Sequence, residues 1–331
     1  MLHSVFKIDF NSSVPKYQQL VTGVIRAVAT KELEVGDALP SVNVISQQLQ
    51  LSKDTVFKAY SILKDKGVVQ SVPNKGYFIA QEEQKVFLML DTFKAYKEVL
   101  YKAFVEALPD SITVDVHFHN YNPEVFIKVI RANMHQYAKY VVMPFDNIAV
   151  LDTLRSIPKD KLLIIDWNLP VYSDQNTVYQ NFDSAFANSL TGVLPFTKSY
   201  DRFVLLYPEH THHPRQIISV FTQFCQNKSV AYGVHSEIQP GLLKEKVLFL
   251  VVSAQDLEDI LVICQQKKLI LGKDLGIVSY NDTPMKPFVA NGISVISTNF
   301  KAMGEAAAEF VLKSAAVAKQ IPTHFIHRES I

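Results

Sequence analysis

From residue 85 onward, short apolar runs alternate with amphipathic stretches, and this regularity constrains the fold more than any other feature of the chain. The apolar runs fall at 85–90, 113–118, 140–144, 161–166, 202–207, 229–234, 246–252 and 275–280. Helical spacing appears near 95–107, 122–137, 147–156, 184–197, 214–226, 255–267 and 301–318. Strands that are apolar throughout are buried on both faces, and strands alternating with helices form βαβ units of parallel sheet. A stretch of about 250 residues in this pattern predicts two doubly wound α/β lobes, with a ligand crevice at the carboxyl ends of the strands.

The first eighty residues read differently. Pro15, Lys16 and Tyr17 open an amphipathic run that carries Leu20, Val24, Ala27 and Val28. Residues 36–41 form a turn ending in Ser41, a helix cap, and a short helix through Val44, Ile45 and Leu49 follows. Ser52 caps the next helix, whose inner face carries Val56, Ala59, Tyr60 and Leu63 and which stops at Lys66 and Gly67. Two β runs, 68–72 and 77–79, are joined by a hairpin with Gly76 near its tip. Three helices and a hairpin, with a short turn between the second and third helices, make a winged helix-turn-helix. The outer face of the third helix shows Lys53, Thr55 and Lys58, with Ser61 and Lys64 further along. Short polar and basic side chains at the start of such a helix suit the major groove of DNA.

Charge supports this division. The 331 residues sum to only +1, so no overall basic field announces nucleic acid. Residues 1–80, however, hold nine basic and six acidic side chains, a net +3, and the remainder carries −2. The excess falls on the third helix and its surroundings.

Other classes find no support. Composition is 48% hydrophobic and 20% charged, as in globular proteins. The two cysteines, Cys225 and Cys264, cannot build a disulfide framework and read as buried reduced thiols. The longest apolar run, 247–254, is far short of the ~20 residues that span a bilayer, and the first residues lack the pattern of a signal peptide. A cytoplasmic protein is expected. No Gly-x-Gly-x-x-Gly follows a strand, and neither a Walker-type loop nor a Gly-x-Ser-x-Gly elbow occurs. An enzyme reading is left without chemistry, and no cofactor is expected.

Two resemblances then emerge. Pro15, Tyr17, Gln19 and Leu20, Gly36 and Asp37, Leu39 to Ser41, Leu51 to Val56, Ala59 and Tyr60, Gly67 and Val68, and Gly76 to Phe78 resemble the DNA-binding domain of the gluconate-repressor (GntR) superfamily. The match covers roughly residues 10–80. Asn43 and Lys53 stand where that family usually has arginines. Lysine and asparagine do not reproduce arginine's bidentate grip on guanine, so the expected DNA site depends less on guanine. The tail, with residues 272–283, 293–298, 303–307 and 327–330, resembles the ligand-binding domain of the lactose-repressor (LacI) family, a relative of periplasmic sugar-binding proteins. A GntR-type reader joined to a LacI-type sensor is the layout of arabinose-repressor (AraR) regulators.

The expected domains are therefore a winged helix-turn-helix at 1–80, a linker at 81–84, and a two-lobed periplasmic-binding-protein-like effector and dimerisation domain at 85–331. The resemblance implies lobe crossovers near Asn181–Asp183, Ser297–Asn299 and Pro322–Phe325. One lobe would comprise about 85–181 and 299–321, the other about 182–297 and 322–331. It also puts Asn281, with Asp282 beside it, where the family binds ligand hydroxyls. Ser253 and Ala254 replace the family's Asn-Asp after the 246–252 strand.

Further candidates come from the residues themselves. Asp91 and Phe93 follow the first strand, and Asp166 and Trp167 follow the fourth. Carboxylates take sugar hydroxyls and an indole stacks on a sugar ring. His210, His212 and His213 lead to Pro214 and Arg215 after the 202–207 strand, and His212, His213 or Arg215 would hydrogen-bond an effector. Their spacing matches no metal-binding helix, so no metal is expected.

The function expected is a DNA-binding transcriptional regulator, a repressor of carbohydrate-use genes relieved by a small sugar, a pentose or deoxyhexose. A homodimer would bind pseudo-palindromic operator DNA, with Asn43, Ser52, Lys53, Thr55 and Lys58 in or beside the major groove and Lys75 and Gly76 in the wing. Two rivals remain: a sugar sensor whose DNA-binding domain has lost function, and a pyridoxal-phosphate regulator of the GntR type. The latter requires a longer C-terminal domain and a Schiff-base lysine in its own context.

Overall fold

A computed structural model describes residues 5–73, 75–80, 84–168, 175–244, 246–313 and 316–331. Contacts divide the chain into two compact units, Met1–Gln84 with Asp110–Thr113, and Lys85–Pro109 with Val114–Ile331. Asn74 at the hairpin tip and residues 81–83 of the expected linker lie outside the described residues. Gln84, placed in that linker, instead opens a strand.

In the first unit, α1 (Lys16–Ala29) is followed by the two-residue strand β1 (Ala38–Leu39), α2 (Val42–Gln48), α3 (Lys53–Asp65), β2 (Val69–Val72) and β3 (Gly76–Ile79). Ser41 Oγ accepts from Val44 N at 3.3 Å, and Ser52 Oγ accepts from Thr55 N at 3.2 Å, so both expected caps are made. Leu20, Val24, Ile45, Val56, Ala59 and Leu63 fill a shared core, in which Tyr60 donates to Pro40 O at 2.8 Å. β2 and β3 pair antiparallel, and Gly76 at φ 109° supplies the backbone conformation the turn into β3 requires. Tyr60 meets Tyr77 edge-on at 4.8 Å, which ties the wing to α3.

The second unit contains, but for the first residue of β4 and the first two of β5, β4 (Gln84–Leu90), α4 (Ala95–Glu106), β5 (Ile112–Phe118), α5 (Pro123–Ala132), β6 (Lys139–Val142), α6 (Ile148–Leu154), β7 (Leu162–Asp166) and β8 (Asn176–Gln180). It continues with α7 (Ser184–Thr197), β9 (Arg202–Leu206), α8 (Gln216–Asn227), β10 (Tyr232–His235), β11 (Val247–Val251), α9 (Ala254–Lys267), β12 (Gly276–Tyr280) and β13 (Ser294–Thr298). The chain then forms α10 (Phe300–Lys313), β14 (Ala318–Ile321) and β15 (Thr323–Ile326). Two six-stranded sheets result, ordered β14-β8-β7-β6-β4-β5 and β10-β9-β11-β12-β13-β15. Central strands such as β7 and β11 are buried at every residue, as parallel strands covered on both faces must be.

The chain passes between the sheets at residues 181–183, at Asn299 and at Pro322. Two expectations need correction. β15 runs antiparallel to β13, so the second sheet is not wholly parallel. The helix expected to reach residue 318 ends at Lys313 among the described residues, because the chain must cross to pair β14 with β8.

Candidate functional site

On the first unit the candidate DNA face lies along α3. Lys53 and Lys58 are exposed and Thr55 is half-buried, its hydroxyl 2.8 Å from Ser52 Oγ. Lys58 Nζ sits 4.1 Å from the Tyr17 ring centroid, held by cation–π attraction at the helix surface. Asn43 on α2 and Lys75 and Gly76 in the wing are exposed as well.

In the second unit, residues from the carboxyl ends of five parallel strands converge on a cavity of about 310 Å³. Asp91 follows β4, Asp166 ends β7, His213 follows β9, Ser253 follows β11 and Asn281 follows β12. This is where open α/β sheets bind ligands. Trp167, the only tryptophan of the chain, and Phe182 add an apolar wall with ring centroids 6.0 Å apart. An adjoining cavity of about 640 Å³ shares Tyr121, Trp167, Phe182 and the 211–214 loop, and adds Asn168 and Arg215.

The carboxylates are placed by buried partners. Asp91 pairs with Lys97 from α4, and both side chains are almost fully buried. Asp91 also accepts from Tyr121 OH and from the Thr92 amide. Burial lowers Lys97 to about 8, against the attraction of Asp166. Burial holds the Asp166 carboxyl above the ordinary aspartate range, although Lys97 and a 2.5 Å hydrogen bond from Gln180 Nε2 oppose it. Burial pushes the His213 imidazole down to about 3, with Lys94 and Lys97 adding to the effect. At neutral pH it is an uncharged ring with a donor and an acceptor.

Asn281 offers the cavity an unsatisfied polar group. It is buried, its Oδ1 has no hydrogen-bond partner among the described residues, and it lines the cavity. An unpaired buried acceptor is costly unless something supplies its hydrogen bond. The backbone is pinned there by Lys286, whose Nζ donates to Asn281 O, to Tyr280 O at 3.2 Å and to Ser279 Oγ at 2.8 Å. Asn281 (φ 60°), Asp166 (φ 74°) and Tyr121 (φ 56°) all take left-handed conformations at the cavity. Strain of this kind gathers where a structure over-determines a site.

The structure brings Asp91, Asp166, Trp167, His212, His213, Ser253 and Asn281 to one cavity and leaves three candidates outside it. Phe93 packs its ring against Tyr101 and Phe118 and is 56% exposed. Asp282 turns away to a two-pronged pair with Arg328, at 2.9 and 2.5 Å. Arg215 lies at the start of α8 and lines the adjoining cavity rather than the first one. Ser253 Oγ caps α9 through the Gln255 amide while facing the cavity.

Sequence reasoning passed over Tyr96, Lys97, Tyr121 and Gln180. Tyr121 stacks on His212 across the cleft, with centroids 3.6 Å apart and planes at 12°. Gln180 links Asp166 to the crossovers: its Oε1 accepts from Thr298 Oγ1 at 2.7 Å, and the Thr298 and Thr323 hydroxyls are 2.8 Å apart. Among the described residues, no three His, Cys, Asp or Glu side chains are arranged to hold a metal, and no helix is long and apolar enough to cross a membrane.

Residues 16–79 match the family described as bacterial regulatory proteins, gntR family. The uncharacterized HTH-type transcriptional regulator YhcF of Bacillus subtilis is 33% identical over 102 residues, which are 31% of this chain and 82% of YhcF. YydK of the same organism, also an uncharacterized HTH-type transcriptional regulator, is 29% identical over 85 residues. These are 26% of this chain and 36% of YydK, so the match spans about a third of that relative. The second unit is similar in fold to a LacI family transcriptional regulator from Lactobacillus casei with bound glucose (TM-score 0.61, 13% identity, 75% of this chain and 100% of that one). It is likewise similar to the trehalose repressor from Escherichia coli (TM-score 0.62, 11% identity, 74% and 100%). The chain thus carries a winged helix-turn-helix of the kind found in bacterial regulatory proteins, followed by a two-lobed body that shares the fold of these regulators. The chain belongs to the gntR family of bacterial regulatory proteins.

Proposed function

We propose that this protein is a cytoplasmic repressor of carbohydrate-use genes whose DNA affinity is set by a small sugar bound between its lobes. The observation that carries the reading is the unpartnered, buried Asn281 Oδ1 in a cavity that also holds Asp91, Asp166 and Trp167. Buried acceptors beside an indole face suit a polyhydroxylated ring, whose hydroxyls donate while its C–H face stacks. The glucose bound to the L. casei regulator of similar fold supports the same chemistry.

Asp166 supplies a route from ligand to hinge. A hydroxyl that hydrogen-bonds its carboxylate competes for the group that holds Gln180, and Gln180 is bonded to Thr298 at a crossover. Sugar then favours one lobe arrangement over another, and two copies of the winged helix-turn-helix meet the half-sites of a pseudo-palindromic operator at a spacing that fits less well. None of this requires bond making, and the reading assigns the protein no enzymatic activity.

Thermal unfolding of the full chain against a panel of monosaccharides and sugar phosphates tests the proposal. A ligand at 100 times its dissociation constant adds about 2.7 kcal/mol of stability and raises the transition. One clear hit is the expected result, and no shift across the panel would overturn the sugar-sensor reading.

A further inference from the structure

Phe57 stands on α3 at the position least expected of an apolar ring. It is 60% exposed and belongs neither to the buried core of the first unit nor to the partly buried shell around that core. It is four residues after Lys53 and four before Ser61, so the three share one exposed strip of the helix. Lys58 and Lys64 flank this strip. The first turn of α3 is fixed by the Ser52 cap and its core side by Tyr60, so the strip has a defined direction.

A single exposed phenylalanine on an arbitrary surface needs no explanation. Here its position carries the argument, because lysines that suit phosphates surround it on the helix that a helix-turn-helix lays in the major groove. The edges of the base pairs there offer hydrogen-bond donors and acceptors and one apolar group, the C5-methyl of thymine. A phenyl ring cannot satisfy the donors and acceptors, and burying it over guanine or cytosine edges would strip them of water without replacement.

We propose that Phe57 is a base-reading residue that packs on a thymine methyl in each half-site of the operator. The assignment rests on the DNA-binding reading of α3 and names what that helix recognises. It supplies by apolar contact the discrimination that Asn43 and Lys53 do not obtain from guanine.

The test uses the full chain and a duplex recovered by repeated selection from random-sequence DNA, with affinity read by fluorescence anisotropy at fixed salt. Each thymidine of both half-sites is replaced in turn by deoxyuridine, which removes the methyl and nothing else. Burial of one methyl-sized group corresponds to about a fourfold change in affinity per half-site, so replacing both weakens binding about fifteenfold. The unmodified protein shows this loss at one symmetric position, Phe57→Ala binds the two duplexes alike, and the salt dependence carried by the lysines is unchanged. Equal affinity of the unmodified protein for every thymine and uracil duplex would overturn the assignment, as would a Phe57→Ala protein that still discriminates. Loss of self-association in Phe57→Ala without change in base preference would give the ring to contact between copies and overturn it too. Failure to retain any duplex in a salt-dependent way would instead remove the DNA-binding reading beneath it.

Discussion

Asn281 and Asp166 show what the candidate site costs the folded state. Each sits in left-handed backbone, and Asn281 carries an unpaired acceptor as well; such strain amounts to about 1–3 kcal/mol per residue. Asn281→Gly relieves both, while it gives up the side chain's hydrogen bond to Tyr96 and adds chain entropy to the unfolded state. These terms offset, so the variant should stay within about 1 kcal/mol of the parent in chemical denaturation and bind the sugar at least tenfold more weakly in calorimetry. A variant destabilised by several kcal/mol with intact binding would mean that Asn281 is structural. His119 gives a second residue-scale prediction. It is fully buried, its Nε2 lies 3.0 Å from Met143 O and its Nδ1 accepts from the Tyr121 amide. Burial lowers it to about 4, so between the ordinary value of 6.5 and 4 the unfolded chain binds a proton that the folded one refuses. The stability from this residue is complete above pH 6.5 and declines as pH falls toward 4, by on the order of 3 kcal/mol. His119→Gln should flatten urea-derived stability across that window, and an unchanged slope would locate the acid sensitivity elsewhere. That Asp91, Asp166 and Trp167 line one cavity was legible because they follow strands that end at one edge of a parallel sheet, whereas Ser253 was singled out by the resemblance. Lys97, Tyr121 and Gln180 were not, since Tyr121 and Gln180 line the cavity and Lys97 pairs with Asp91 beneath it from segments whose sequence carries no mark of the distant partner each meets.

Elements follow the same logic. The buried central strands were readable as unbroken apolar runs. β14 and β15 lie at sheet edges, with β14 exposed at three of its four residues, and so lack that signature. β8 also escaped, because Asn176 and Gln180 bring buried polar side chains whose partners, Lys159 O, Leu162 O and Asp166, come from elsewhere in the fold. The packing of α10 on α4 depends on a glycine that the helical pattern alone did not single out. A Cβ on Gly304 would lie 2.3 Å from Leu100 O and 2.9 Å from Phe104 N, atoms of a neighbouring helix that cannot rotate aside. Gly304→Leu should therefore destabilise the protein by about 1–3 kcal/mol or more, read as a lower denaturant midpoint. A midpoint at or above the parent's would show that the two helices separate freely.

At the scale of the whole molecule, the order of helices and strands made the two-part organisation legible, and the proposed function requires communication between the parts. Gln180, Thr298 and Thr323 join the crossovers through buried hydrogen bonds that begin at Asp166 in the cavity. Removing one hydroxyl, as in Thr298→Val, leaves the cavity lining intact but strands Gln180 Oε1 with its long 3.4 Å contact to Tyr280 OH. This variant should keep its affinity for sugar within about threefold while the response of DNA binding to sugar changes, a coupling of about 1–3 kcal/mol being at stake. Loss of sugar binding with coupling intact would contradict that role. The central claim, that ligand and DNA compete through lobe arrangement, is tested by one measurement. A labelled operator duplex is titrated with the full chain at fixed salt, with and without the sugar that raises its unfolding transition, and Kd is read from anisotropy. The account predicts a Kd weakened about 5–150-fold by the bound sugar. An identical Kd with the cavity saturated would contradict it, because a ligand without preference between two states shifts neither.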